Sequence, residues 1–229
     1  GGGDAFDIAW AVDAAGNPAG LTRFHFIRLR SFIARTYGAL GNASIVEAVK
    51  ALADRRGFPK LVVDPVLAST TGGALIDAAG SAALRDRLLP LATIVTPNLA
   101  EAAALTGGVV EGVDDMLRAG ERLIALGSRA ALVKGGHLQG NEVVDVLVTS
   151  EGTRRIFSSK RILGKEVRGT GCALASLIAG HLALGLGLED SVARARRELR
   201  KAFALAYEVG KGPRILDFSR RRTSARGSS

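Results

Sequence analysis

One cysteine in 229 residues is the first constraint on this chain. A single thiol, Cys172, cannot close an internal disulfide or build a cysteine-based zinc site. No charged and apolar leader ending in small residues stands at the start, so a cytoplasmic location is expected. The apolar run from Thr170 to Leu188 is nearly long enough for a membrane span, but several glycines, Ser176 and His181 interrupt it and no second span accompanies it. It reads as a buried helix, and no membrane partner is expected. The Gly-x-x-x-x-Gly-Lys-Ser/Thr pattern is missing too, which disfavours a P-loop.

The composition is that of a globular chain, with 47% hydrophobic and 23% charged residues. That is enough to bury one large core, so residues 1–218 are expected to form one domain and 219–229 a basic, disordered tail. The formal net charge is +9, and most of the excess sits at one end: eleven Arg and Lys from Arg194 onward face only Glu198, Glu208 and Asp217. A run such as Arg220-Arg221-Arg222 in a tail of Ser and Gly is ordinarily solvated. No aromatic residue is interleaved there to stack bases, so no nucleic-acid partner is expected.

The first twenty residues carry the weakest pattern, a glycine turn and then a short helix over about Asp4 to Ala15. Asn17 to Phe24 reads as a junction between segments that look non-contiguous. From Ser44, which can cap a helix running to about Arg56 with Gly57 ending it, strands and helices alternate. Leu61–Val63, Thr93–Val95 and Ala130–Val133 read as strands. Ala82–Leu88, Leu99–Leu105 and Asp114–Leu126 read as helices. Val143–Val148 and Arg154–Phe157 form a late hairpin around Ser-Glu-Gly, and helices over Thr170–Leu184 and Glu189–Tyr207 close the domain. This alternation implies a three-layer α/β/α fold with a mainly parallel central sheet, helices on both faces and an antiparallel edge.

In such sheets ligands bind outside the carboxyl ends of the strands, and polar motifs gather there. Asp64-Pro65 follows one strand, Thr96-Pro97-Asn98 with Glu101 a second, and Lys134-Gly135-Gly136-His137 a third. Asp64 and Glu101 offer oxygen ligands to a hard cation such as Mg²⁺. Taken singly, Pro65 and Pro97 merely stop strands, Asn98 caps a helix, and Lys-Gly-Gly is an ordinary turn. His137 is as well explained by the surface as by a site. Gly169-Thr170-Gly171-Cys172 opens the long apolar helix, where unpaired amides and the helix dipole favour an anion. Cys172 is there either a small packed hydrophobe or a thiol in an anion site. Together the four motifs suit phosphoryl transfer, which asks for positioning, a metal and fixed positive dipoles.

These segments resemble the hydroxymethylpyrimidine/phosphomethylpyrimidine kinases of the ribokinase-like superfamily. The residues that carry the resemblance are Asp64-Pro65-Val66-Leu67, the stretch from Leu88 to Ala102, Val133-Lys134-Gly135-Gly136-His137-Leu138, and Gly169-Thr170-Gly171-Cys172-Ala173-Leu174. The resemblance implies ATP and Mg²⁺ as cofactors, a small pyrimidine substrate of thiamine biosynthesis, and a homodimer. It implies Cys172 as the base that accepts the hydroxymethyl proton, a place where many ribokinase-like enzymes have Asp. Gly169, Thr170 and Gly171 become the anion hole, Asn98, Glu101, Lys134 and Gly136 the Mg-ATP positions, Asp64 with Glu101 the metal pair, and Asp7 the pyrimidine contact.

The amino-terminal part departs from the family pattern. The expected Gly-Ser-Asp-Pro-x-Gly-Gly-Ala-Gly run and a glutamine-bearing segment before Gly38 are absent, and Gly1-Gly2-Gly3 with Asp7 stands in their place. Glu166-Val167-Arg168 replaces the usual Asn-Thr-His. A pyridoxal kinase-like vitamin kinase and a non-catalytic pyrimidine or nucleotide sensor are the alternative readings.

Overall fold

The computed structural model describes residues 6–9, 24–29, 46–47, 50–51, 54, 60–67, 77–163, 166–208 and 212–218. Its centre is a seven-stranded sheet in sequence order: β1 (Phe6–Ala9), β2 (Phe24–Leu29), β3 (Lys60–Asp64), β4 (Ile94–Val95), β5 (Ala130–Gly135), β6 (Glu142–Thr149) and β7 (Arg154–Lys160). Strands β2 to β5 run parallel, while β1 pairs antiparallel with β2, and β5, β6 and β7 are antiparallel neighbours. The expected parallel sheet with a late hairpin is therefore present. The early helix is not: Phe6–Ala9, inside the expected Asp4–Ala15 helix, is strand β1. Pairing along β2 gives these four residues backbone partners, and such pairing overrides local propensity. The rest of that early span, the junction before Phe24 and residues 219–229 lie outside the described residues.

Helices cover both faces. The segment over α1 (Ala78–Ala83) continues through a wide turn at Leu84–Leu88 and a tight one at Leu89–Leu91, then come α2 (Leu99–Thr106), α3 (Val113–Ala125), α4 (Thr170–Ala183) and α5 (Leu188–Ala204). The first of these starts earlier than expected because Asp77 accepts the Gly80 amide at 2.6 Å and caps it. Alternation along β3 and β5 sends Leu61, Val63, Ala131 and Val133 to the face covered by Leu105, Met116 and Leu123. Val62, Ala130 and Leu132 face Leu174, Ile178, Leu182, Val192 and Ala195. A strand buried on both faces reads as an unbroken apolar run, as Leu61-Val62-Val63 does.

Packing leaves no slack where α3 crosses β6. A Cβ on Gly120 would lie 2.6 Å from Cγ2 of Val148. Overpacking costs about 1–3 kcal/mol, and replacing a helical glycine by alanine returns about 1 kcal/mol, so Gly120→Ala should lower the unfolding free energy by about 1 kcal/mol. Urea denaturation checks this. A more stable variant would show that Val148 has room to move.

Candidate active site

The parallel strands β3, β4 and β5 all end on one side, and their ends bring the first three motifs together. Asp64, the last residue of β3, is 2% exposed. Its Oδ1 accepts hydrogen bonds from Thr96 Oγ1 and from Lys134 Nζ, both at 2.9 Å. Lys134 is brought there by β5, whose backbone bonds onward to Pro97 at 2.8 Å and places Lys134 beside Asn98. Asn98 and Glu101 form a capping box at the start of α2: Asn98 Oδ1 accepts the Glu101 amide at 2.9 Å, and Glu101 Oε2 accepts the Asn98 amide at 2.7 Å. The capping role and a place beside the acids thus coexist in the same residues.

Electrostatics couples this group. Burial is the main cause that holds the Glu101 carboxyl above its usual range, opposed by Lys134 and by backbone donors at Asn98 and Leu67, with Asp64 adding to the rise. For Lys134, burial opposes the charge, and the attraction of Asp64 and Glu101 outweighs it, so its pKa stands above the ordinary value. Cys172 is a further partner in that attraction. The lysine therefore stands between two carboxylates and the start of α4.

There the chain turns through Gly169, whose φ of +79° lies in the left-handed region that favours glycine. No side chain caps this helix end. A Cβ on Gly171 would sit 3.1 Å from Lys134 Nζ, so glycine there lets the turn and the lysine approach without displacing the ammonium. The lead-in residues 166–168 are fastened from the carboxyl-terminal side: the Arg214 amide donates to Glu166 O at 3.1 Å, and the Arg168 amide donates to Arg214 O at 3.2 Å. Glu166 and Arg168 are exposed. Neither lines the cavity in front of the turn.

That cavity has a volume of about 470 Å³, within the range of small-ligand sites. Lys134, Gly136, His137, Thr170 and Gly171 form one wall. Ile162, Leu163, Leu199 and Phe203 give an apolar side, and Lys160, Arg161, Arg196 and Arg200 add positive charge. Asp64 and Glu101 lie behind Lys134 rather than on the cavity surface, and Cys172 is half-buried in the first turn of α4. The side chain of Asp7, on β1, lies outside the described residues. Of Lys-Gly-Gly, the first glycine is structural, since a Cβ on Gly135 would run into the Val144 carbonyl, whereas Gly136 borders open space.

A model of the phosphomethylpyrimidine kinase family matches residues 33–217. The chain belongs to the phosphomethylpyrimidine kinase family. A hydroxymethylpyrimidine/phosphomethylpyrimidine kinase of Rhizobium meliloti is 42% identical over 178 residues, covering 76% of this chain and 66% of the relative. The crystal structure of the phosphomethylpyrimidine kinase of Clostridium difficile 630 is 34% identical with a TM-score of 0.61, covering 71% of this chain and 65% of that one. A Staphylococcus aureus pyridoxal kinase in complex with AMP-PCP and pyridoxal is 25% identical with a TM-score of 0.69, covering 79% of this chain and 65% of that one. The chain spans just under two thirds of the length of each of these proteins.

Asp145 and Arg196 also line the cavity, and the sequence does not single them out. Asp145 is 5% exposed in the middle of the apolar strand β6. It accepts the Gly135 amide at 3.0 Å and pairs with Arg196 Nε at 2.7 Å. An acid inside Val-Val-Asp-Val-Leu-Val was the available signal, because a buried carboxylate needs a partner. Part of the basic excess of the last helix thus turns inward. Among the described residues, no helix is long and apolar enough to cross a membrane.

Proposed function

We propose that this chain transfers the γ-phosphoryl group of ATP to the hydroxymethyl oxygen of 4-amino-5-hydroxymethyl-2-methylpyrimidine, to the phosphate of its monophosphate, or to both. The observation that carries this reading is Lys134, which touches both the buried acid Asp64 and the Gly-Thr-Gly turn facing the cavity. In the first reaction the substrate O–H proton passes to Cys172, the oxygen forms a bond to Pγ, the bond from Pγ to the bridging oxygen breaks, and ADP leaves. The amides opening α4 and the Lys134 ammonium hold the charge that builds on the moving phosphoryl group. The apolar side at Leu163, Leu199 and Phe203 suits a purine ring.

Mg²⁺ fits the donor set in a limited way. Among the described residues no cluster of three or more His, Cys, Asp or Glu side chains exists. Mg²⁺ is commonly held by one or two carboxylates plus substrate phosphates and water, so Asp64 and Glu101 are the residues that would hold it. Because both acids stand behind Lys134 and off the cavity surface, an ion held there would reach the phosphates through water and neutralise part of their charge. The same reading takes the protein as a cytoplasmic homodimer.

Purified protein with Mg-ATP should release ADP on addition of the pyrimidine or its monophosphate, and more slowly or not at all with pyridoxal. ADP release at the level of a blank with both pyrimidines would overturn the kinase reading. Binding of ATP and pyrimidine by calorimetry without turnover would select the sensor instead. Faster turnover of pyridoxal would move the chain to the pyridoxal kinase activity of its structural neighbour.

A further inference from the structure

Three carbonyls of the loop between β5 and β6, and that of Glu142 at the start of β6, converge on a single side chain. Arg161 donates from Nε to Gly140 O at 3.0 Å, from Nη1 to Gly136 O at 2.7 Å, and from Nη2 to Leu138 O at 2.6 Å and Glu142 O at 3.2 Å. A guanidinium has five N–H groups in a fixed plane. Only one, on Nη1, is left uncommitted. Bidentate capture of a phosphate uses two parallel N–H groups, and Arg161 does not have two to offer. It lines the cavity, but its hydrogen bonds go to its own backbone.

Beside Arg161, the loop is held by Leu138, which packs against the core, and by a few backbone bonds. Residues 136–141 lie outside both strands, Gly140 has a φ of +112°, and within the turn Leu138 N donates to Gly135 O at 3.0 Å. The Arg161 amide adds a bond to Asn141 O at 2.7 Å. Carbonyls drawn toward the guanidinium fix the peptide planes of Gly136, Leu138 and Gly140. Fixing a loop before the ligand arrives removes an ordering cost that binding would otherwise carry.

We propose that Arg161 is a positioning residue, which pre-orders the 136–142 loop so that Gly136 and His137 are in place when the nucleotide binds. The proposal rests on the reading of the cavity as the ATP site. Lysine keeps the charge of arginine but is a point donor that cannot reach four carbonyls at fixed angles. Arg161→Lys and Arg161→Ala therefore separate geometry from charge.

In the ligand-free protein, amide hydrogen exchange over 136–142 should accelerate about tenfold or more in both variants, the scale of losing one or two net hydrogen bonds, while α4 and β5 keep wild-type protection. In steady state both variants should raise KM for ATP about tenfold and change kcat by less than about threefold. Unchanged exchange in the loop would overturn the proposal. So would wild-type KM in Arg161→Lys alongside a loss in Arg161→Ala, since charge rather than geometry would then be what matters. Exchange that accelerates equally through α4 and β5 would show a general loss of fold and would also overturn it. If the wild type itself releases no ADP, the kinase reading fails, and the exchange measurement still decides whether Arg161 holds the loop.

Discussion

Lys134→Met should lower the unfolding free energy by about 3–5 kcal/mol at pH 7, the usual cost of removing one member of a buried ion pair. The pair is Lys134 Nζ and Asp64 Oδ1 at 2.9 Å, with side chains 13% and 2% exposed. Removal leaves Asp64 charged beside Glu101 with the nearby cation gone. The Glu101 carboxyl, already raised by burial, loses the Lys134 charge that opposes the rise, so lowering the pH protonates it more readily in the folded state and shrinks the deficit. The wild type should lose stability at the other end. Because the folded Lys134 pKa is raised, its contribution is complete below the unfolded lysine value of about 10.4 and is lost as pH rises through the folded value. Glu101 works in the opposite sense: its raised pKa means that ionising it costs stability as pH climbs from its unfolded value. Urea titrations of wild type and variant from pH 4 to 11 check this, with the gap widest in the middle. A flat difference near zero would mean that water, not Lys134, balances Asp64. Asp64→Asn in the Lys134→Met background should recover part of the loss, because the two side chains share one interaction.

How much of this was legible in the sequence depends on whether a residue's partner lies nearby in the chain. Asn98 and Glu101 are three apart, so the capping box is written in the spacing itself. Asp64, Lys134 and Gly171 are far apart in sequence, yet each ends a strand or starts a helix of a parallel sheet, and topology alone brings such ends together. Their side of the site was therefore readable. Arg196 and Asp145 come from α5 and β6, and Arg161 follows a hairpin strand, so nothing periodic announces that they line one cavity. The basic run around Arg194 to Lys201 resembles a solvated face because its pattern is amphipathic. Only the structure shows Arg196 turned inward to Asp145.

The amino-terminal misreading has a similar cause. Phe6-Asp7-Ile8-Ala9 is too short to favour a strand over a helix by its own periodicity. Its state is set by β2, a segment of distant sequence, through the register Phe6 to Leu29 and Ala9 to Phe26. Edge strands owe their existence to the partner.

Cys172→Ala should reduce kcat by two to four orders of magnitude, the usual worth of a positioned general base, while the affinity for ATP changes only a few-fold. The separation is expected because, on the proposed function, the phosphates would be held by Lys134, Thr170, Gly171 and the loop after β5, which line the cavity and which the substitution leaves in place. Cys172 sits in the first turn of α4, in electrostatic contact with Lys134. A helix amino terminus and a neighbouring cation are the surroundings that raise the thiolate fraction of a cysteine. If the thiolate is the base, the wild-type rate should climb with pH until the thiol is fully ionised. Cys172→Ser should stay near the alanine variant, because a hydroxyl is too weak a base at neutral pH. Cys172→Asp supplies a carboxylate at the same helix position and should recover activity, with a pH profile that is flat above the carboxyl range of about 4 to 5. Pre-steady-state measurement of ADP formation separates this chemical step from product release. Near-full activity in the alanine variant would make the cysteine a packing residue and leave the anion hole and Lys134 to carry the reaction. An aspartate variant as slow as alanine would place the proton acceptor elsewhere in the site.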